Sequence, residues 1–338
     1  MLYRTKIAGV GSFLPDNVVT NDDLSKIIDT NDEWIQERSG IKERRHILKG
    51  TYGDKPVAHM GVEAAKIALE RASIDKDDID LIVFATVSPD YYFPGSGVLV
   101  QEMMDIKTCP ALDVRNQCSG FIYGLSVADQ FIRTGMYKNI LLIGSEYQSG
   151  GMDMSTRGRA VSVLFGDGAG AVVLTRSESD DKGILSTHLH SEGKHALELS
   201  IKTPSTNHWV PEIIEEGVAD NPSYYPYMNG QLVFKNAVVR FSEVIMEGLA
   251  ANNLTKDDID MLIPHQANLR IADFVQRQFG LSDDQIFNNI QKYGNTTAAS
   301  IPTAMNEAWE KGKIKDGDTV VLAAFGSGFT WASAVIKW

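Results

Sequence analysis

Helix-spaced apolar positions alternate along the chain with short, unbroken apolar runs. The stretch VAHMGVEAAKIALERA repeats apolar residues at the three-to-four spacing of an amphipathic helix, and after KDDID the run LIVFATV has the character of a buried strand. The order then returns: FKNAVVRFSEVIMEGLAANN is helix-patterned, KDDID recurs, and MLIP follows. The copies, KDDIDLI at 76–82 and KDDIDMLI at 256–263, are not isolated. CSGFIYGLSVADQFIRTG leads to NILLIGSE in one, and NTTAASIPTAMNEAWEKG leads to TVVLAAFGSG in the other. The first copy closes on VSVLFGDGAGAVVLT, which reads as two β-rich runs about a glycine turn, and the second on SGFTWASAVIKW. One β/α module has been duplicated, giving an N-terminal half at 1–175 and a C-terminal half at 176–338. The alternation predicts an α/β fold with largely parallel sheets covered by helices. The period is far too long for a solenoid, so the halves should pack as a pseudo-twofold pair whose strand-end loops meet at one central site.

A segment near 195–230 breaks the pattern. It contains HWVPEIIEEGVADNPSYYPYMNG, whose aromatic content predicts a packed, partly apolar lid; a surface loop is the other reading. The 338 residues are 43% hydrophobic and 22% charged, which rules out a disordered or collagen-like chain. A net charge of -12 argues against whole-surface binding to nucleic acid or anionic membrane, so a local basic patch would stand out. Two cysteines, Cys109 and Cys118, exclude a disulfide framework, and no CxxC or HExxH spacing supports a metal site. The start lacks a signal-peptide core, and no apolar run nears the roughly 18 residues of a membrane span, so a cytoplasmic protein is expected.

Three residues can carry chemistry. Cys118, in DVRNQCSGF, falls between a strand ending near Val114 and a helix starting near Ser119, where unpaired N–H groups and the helix dipole favour thiolate. His265, in LIPHQAN, directly follows the strand of the second repeat, and ligands gather at such strand ends. Asn295, in KYGNTTAAS, lies at the start of the helix that the repeat aligns with the Cys118 helix. Taken singly, they also fit a buried structural cysteine, a hydrogen-bonded histidine and an N-cap. The duplication brings them toward one place. The glycine clusters are weaker signals: Gly9-Val10-Gly11 lacks a third glycine, and Gly166 to Gly170 reads as a tight turn.

These residues, with TNDEWIQERSGI, STRGRAVSVLFGDGAGAVVL, PHQANLRI, YGNTTAAS and AFGSGFTWASA in order, resemble β-ketoacyl-acyl carrier protein synthase III of the thiolase-like superfamily over essentially the whole chain. The resemblance implies a five-layer α-β-α-β-α fold and a catalytic triad of Cys118, His265 and Asn295. It implies an oxyanion hole from the backbone N–H groups of Cys118 and Ser327, and a coenzyme A entrance at Trp34, Arg38 and Arg157. Lys235, Arg270 and Arg277 match its carrier-protein patch, and Phe93, in DYYFPG, matches the position that walls the partner's acyl pocket in a homodimer. The implied reaction condenses an acyl-CoA with malonyl-acyl carrier protein, with decarboxylation, to begin fatty acid synthesis, and needs no metal or bound organic cofactor. Relatives that make polyketides, quinolones or long-chain ketones are the alternative. A papain-like hydrolase shares the order Cys, His, Asn but lacks both its cysteine signature and a place for the duplication. The chain departs from the family at Gln117 and Ser119, expected to reshape the pocket, at a terminal GSG turn, and in the length of the segment before Gly230.

Overall fold

The structure, a computed structural model, describes residues 2–179, 181–206 and 221–338. In the first half, β1 (Thr5–Phe13), β2 (Leu81–Ala85), β3 (Ala111–Val114), β4 (Asn139–Glu146) and β5 (Gly168–Arg176) form a sheet in the order β1-β5-β4-β2-β3. The apolar runs of β2 and β4 are buried along their whole length, as central strands covered on both faces must be. The second half builds β6 (Gly183–Ser191), β7 (Met261–Pro264), β8 (Thr319–Gly326) and β9 (Thr330–Lys337) into a sheet ordered β7-β8-β9-β6. Corresponding residues lie 180 positions apart: Leu81 and Met261, Gln117 and Thr297, Asn139 and Thr319. Beside β7, in place of a second β3, Leu262 and Ile286 make a single bridge.

Five layers result. α1 (Asp32–Ser39) lies at the rim, where Ile35 packs with Val163 and Ile290. α2 (Pro56–Ala72) and α3 (Ser96–Met103) cover the first sheet on its outer face. In the middle layer, α4 (Gly120–Arg133) brings Phe121 and Leu125 into the same core as Val83 and Leu142 of the first sheet and Val320 and Leu322 of the second. α5 (Gly230–Ala251) and α6 (Leu269–Phe279) cover the second sheet. α7 (Ser300–Glu310) joins α4 in the middle through Ile301 and Met305. α6 shows how sequence sets orientation: LRIADFVQRQF buries Ile271, Val275 and Phe279 and leaves Arg270, Phe274 and Arg277 exposed.

Three expectations change. The sheets are mixed, with β2 parallel to β3 and β4, and β7 parallel to β8, while β5, β9 and their neighbours run antiparallel. The apolar stretch VSVLF is not a strand: Arg159–Ser162 is a helical turn, and Val161 and Phe165 pack with Met152. The glycines at 168 and 170 belong to β5 rather than to a turn, and a Cβ at Gly170 would lie 2.7 Å from Cβ of Pro302, so glycine here admits α7 against the sheet. Of the 195–230 segment, residues 207–220, with Trp209, Ile213 and Ile214, lie outside the described residues. At its roots, Leu199–Ser200 pairs antiparallel with Tyr227–Met228. Among the described residues, no helix is long and apolar enough to cross a membrane.

Candidate active site

Cys118 enters the middle layer just before α4, in a tight turn over Gln117–Ser119 in which Gln117 takes the left-handed region at φ +43°. The second half repeats this turn at Thr297–Ala299, with Thr297 at φ +51°, just before α7. The counterpart of Cys118 is thus Ala298, and Asn295 lies just upstream of that counterpart rather than opposite the cysteine. The two turns meet: a Cβ on Gly120 would lie 3.5 Å from Cβ of Ala298.

The end of β8 makes room for the thiol. A Cβ at Gly326 would sit 2.5 Å from Cβ of Cys118 and 3.1 Å from its sulfur, so only glycine leaves that side chain its place. The backbone N–H groups of Cys118 and Ser327 favour ionisation of the sulfur. Burial opposes them, with the carboxyl of Glu146 acting in the same direction, and the thiol is pushed up to about 12. A helix start alone therefore does not yield a thiolate here: desolvation outweighs the dipole.

His265 follows β7 and is buried, which holds its imidazole down to about 3, so the ring is neutral. Its Nδ1 lies 2.6 Å from Oγ of Ser300, while its buried Nε2 has no hydrogen-bond partner. Ser300 Oγ also accepts a bond from the Gln266 N–H at 3.3 Å. Asn295 is fixed in the other sense: its Oδ1 accepts the N–H of Thr297 at 2.9 Å, which leaves its NH2 group as the free-facing end.

Cys118, His265 and Asn295 line one cavity of about 630 Å³, whose apolar wall includes Leu199, Met228 and Phe234. Trp34, Arg38 and Arg270 belong to the same wall. The guanidinium of Arg38 lies 4.6 Å from the Trp34 ring centre and that of Arg159 5.0 Å from it. Arg157 is not among the lining residues. It bonds Asp153 at 2.6 Å and stands over the Tyr225 ring at 5.2 Å. Lys235 and Arg277 are exposed on α5 and α6, away from the cavity wall. Phe93 is 78% exposed, stacked edge-on with Tyr92, and does not line the cavity of its own subunit. Gln117 and Ser119 do not line it either. Ser119 is turned inward, its Oγ donating to the carbonyl of Thr330 at 3.1 Å. The Ser327 hydroxyl bonds the carbonyl of Leu199, tying the terminal turn to the root of the long segment.

Sequence reasoning missed Ser300, Arg159 and Glu146. The repeat held signals for two of them: Ser300 is the counterpart of Gly120, and Glu146 that of Gly326. Arg159 was present in STRGRAV but had no pattern to single it out.

A buried thiol, a neutral histidine and an asparagine amide meeting between two copies of one module define a thiolase-like condensing enzyme. Comparison with known proteins narrows this. Residues 112–193 match the family described as 3-oxoacyl-[acyl-carrier-protein (ACP)] synthase III, and residues 249–338 match its C-terminal region. The chain is 46% identical over 333 residues to β-ketoacyl-[acyl-carrier-protein] synthase III of Aliivibrio fischeri, covering 98% of this chain and 99% of that one. It is 47% identical to the protein of that name from Salmonella arizonae, over the same shares. The crystal structure of 3-oxoacyl-[acyl-carrier-protein] synthase III from Aquifex aeolicus superposes with a TM-score of 0.88 at 42% identity, covering 99% of this chain and 100% of that one. The chain belongs to the β-ketoacyl-acyl carrier protein synthase III family.

Proposed function

We propose that this protein is an acyltransferase that opens fatty acid synthesis by condensing an acyl-CoA with malonyl-acyl carrier protein, with loss of carbon dioxide, and that Cys118, His265 and Asn295 carry the reaction. The observation behind this reading is the unpartnered, buried Nε2 of His265 in the cavity that Cys118 and Asn295 also line. A buried polar atom without a partner is costly, and a ligand that supplies one explains it.

Cys118 attacks the thioester carbonyl of the acyl-CoA, coenzyme A leaves with the thiol proton, and the acyl group stays on sulfur. The backbone N–H groups of Cys118 and Ser327, which favour negative charge at the sulfur, are assigned to hold the carbonyl oxygen as it gains charge. Malonyl-acyl carrier protein then enters. The Ser300 hydroxyl accepts from Gln266 and gives its own proton toward Nδ1 of His265, which keeps the ring proton on Nε2. Nε2–H and the Asn295 amide donate to the malonyl thioester oxygen as carbon dioxide departs and its electron pair becomes an enolate. The enolate carbon attacks the acyl carbonyl, the same N–H pair holds the oxyanion, and Cys118 leaves as a thiolate that takes a proton from water, releasing a 3-oxoacyl thioester two carbons longer. No step draws on a metal or organic cofactor.

Trp34, Arg38, Arg157 and Arg159 are assigned to coenzyme A, with the indole meeting adenine and the guanidinium groups the phosphates. Exposed Lys235, Arg270 and Arg277 form the basic patch for the acidic carrier protein, against a net charge of -12. A homodimer explains the exposed aromatics: Tyr92 and Phe93 stand open, as does Leu112 on β3, the last strand of its sheet. The two free cysteines, Cys109 and Cys118, suit the cytoplasm. Because Leu199 and Met228 line the cavity, the 195–230 segment is given a part in choosing the acyl primer.

The test is mass spectrometry of products from acyl-CoA and malonyl-acyl carrier protein. The wild type yields a 3-oxoacyl-carrier protein, and Cys118→Ala yields none and forms no acyl adduct. Product from Cys118→Ala at an undiminished rate overturns the reading. Sedimentation showing an active monomer overturns the dimer.

A further inference from the structure

Among the buried acids that the condensation leaves without a task, one adjoins the counterpart of Cys118. Glu146, at the end of β4, is completely buried and pairs with no cation among the described residues. Its carboxyl is held by hydroxyls and amides alone. Thr86 Oγ1 donates at 3.1 Å, the Val87 N–H at 3.2 Å, and Ser88 through its N–H at 3.2 Å and its hydroxyl at 2.7 Å. From the opposite half the Ala298 N–H donates at 3.3 Å, and Gln148 Nε2 bridges Glu146 at 3.3 Å and the Thr297 hydroxyl at 3.0 Å. So many donors hold a charge in place without neutralising it.

The pseudo-twofold explains where this acid sits. Glu146 reaches Ala298, the counterpart of Cys118, just as Gly326, the counterpart of Glu146, is packed against Cys118 itself. Ala298 in turn adjoins Gly120, two residues after the nucleophile. The acid therefore lies across the seam between the halves, linked to the Cys118 turn through Ala298 and Gly120. We propose that Glu146 is a positioning residue of the acylation step, and that its charge restrains Cys118 from ionising and so sets the pH at which the thiol reacts. The inference needs Cys118 to be the nucleophile of the proposed function but does not depend on the acceptor or on decarboxylation.

Two further facts agree. Glu146 is the charged group acting on the Cys118 thiol, where it adds to burial in pushing the thiol up. Burial raises its own carboxyl to about 7, so it gains its charge near neutral pH. Below that range Glu146 is neutral and Cys118 feels burial alone. Above it the charge is present.

The experiment is the alkylation rate of Cys118 by iodoacetamide, read by peptide mass spectrometry, in wild type and Glu146→Gln at pH 6 and pH 8.5, with Cys109 as internal reference. The variant and wild type should react alike at pH 6, and the variant about fivefold or more faster at pH 8.5. A ratio that does not change with pH marks a purely structural effect and overturns the proposal, as does a slower variant at pH 8.5. Should Glu146→Gln not fold, Ser88→Ala removes the shortest donor to the carboxylate and should give a smaller rise, about twofold, of the same sign; a profile superimposable on wild type overturns the proposal. If malonyl-acyl carrier protein proves not to be the acceptor, the alkylation result still stands.

Discussion

Before α4, the left-handed Gln117 is followed by Cys118, and the facing strand end is Gly326. Before α7, the left-handed Thr297 is followed by Ala298, and the facing strand end is Glu146. The backbone is the same in both halves, but the side chains have traded places. At one junction the helix start of the first half carries a thiol, and the strand end that faces it from the second half is a bare glycine. At the other, the helix start of the second half is bare, and the strand end of the first half carries a carboxyl that satisfies it. Around that second turn, Asn295 stands just ahead and Ser300 behind, holding His265. The repeat gives two equivalent frames, filled with unequal side chains.

Making the frames alike should therefore do the most damage. Gly326→Ala places a methyl within 2.5 Å of Cys118 Cβ. The sulfur must then move from the two N–H groups that favour its charge, and acylation should fall by about 10³-fold, with about 1–3 kcal/mol lost from stability through overpacking. Stopped-flow acylation and chemical denaturation read the two effects; unchanged acylation would show that the sulfur has room elsewhere.

The Glu146 frame is tested through stability. Its folded-state carboxyl stands near 7, above the ordinary value of 4.5, so the folded protein binds this proton more tightly than the unfolded chain. That contribution is fully present below about pH 4.5 and is lost as pH rises through 7. Between pH 4.5 and pH 8, wild type should lose on the order of 3 kcal/mol relative to Glu146→Gln. Urea unfolding of both proteins at the two pH values measures this, and parallel stabilities would remove Glu146 as a titrating group.

Ser300→Ala probes orientation rather than chemistry. It frees the His265 ring at Nδ1 but leaves Nε2 in place, so decarboxylation should slow by about tenfold, the worth of one buried hydrogen bond. Ser300→Thr, which restores the hydroxyl, should recover part of the rate. Equal losses in acylation would mean that Ser300 supports the whole site.

Most of this frame was legible in the sequence. The two KDDID copies fixed the module and hence the strand ends where Cys118 and His265 stand. The turn chemistry was less legible, because periodicity does not show that VSVLF packs beneath a site as a helical turn, nor that Gly170 is spared a side chain for the sake of Pro302. The repeat pointed to Asn295, and the resemblance supplied Trp34 and the basic patch, but neither gave the pairing of Arg157 with Asp153 or the nearness of Arg159 to Trp34. The ionisation of the thiol is not legible in sequence, for a physical reason. A helix start is visible in sequence, whereas the desolvation that overrides it comes from residues distant along the chain.

In the proposed mechanism the labour is divided: acyl transfer rests on the Cys118 turn and the Gly326–Ser327 strand end packed against it, and decarboxylation on His265 and Asn295. Single-turnover rates of the two half-reactions in His265→Ala and Asn295→Ala test it directly. Carbon dioxide release from malonyl-acyl carrier protein should fall by about 10²–10³-fold in each, the cost of losing a donor to a developing oxyanion, while acylation of Cys118 changes by less than about fivefold. Equal losses in both half-reactions would contradict the division and make His265 an activator of the thiol instead.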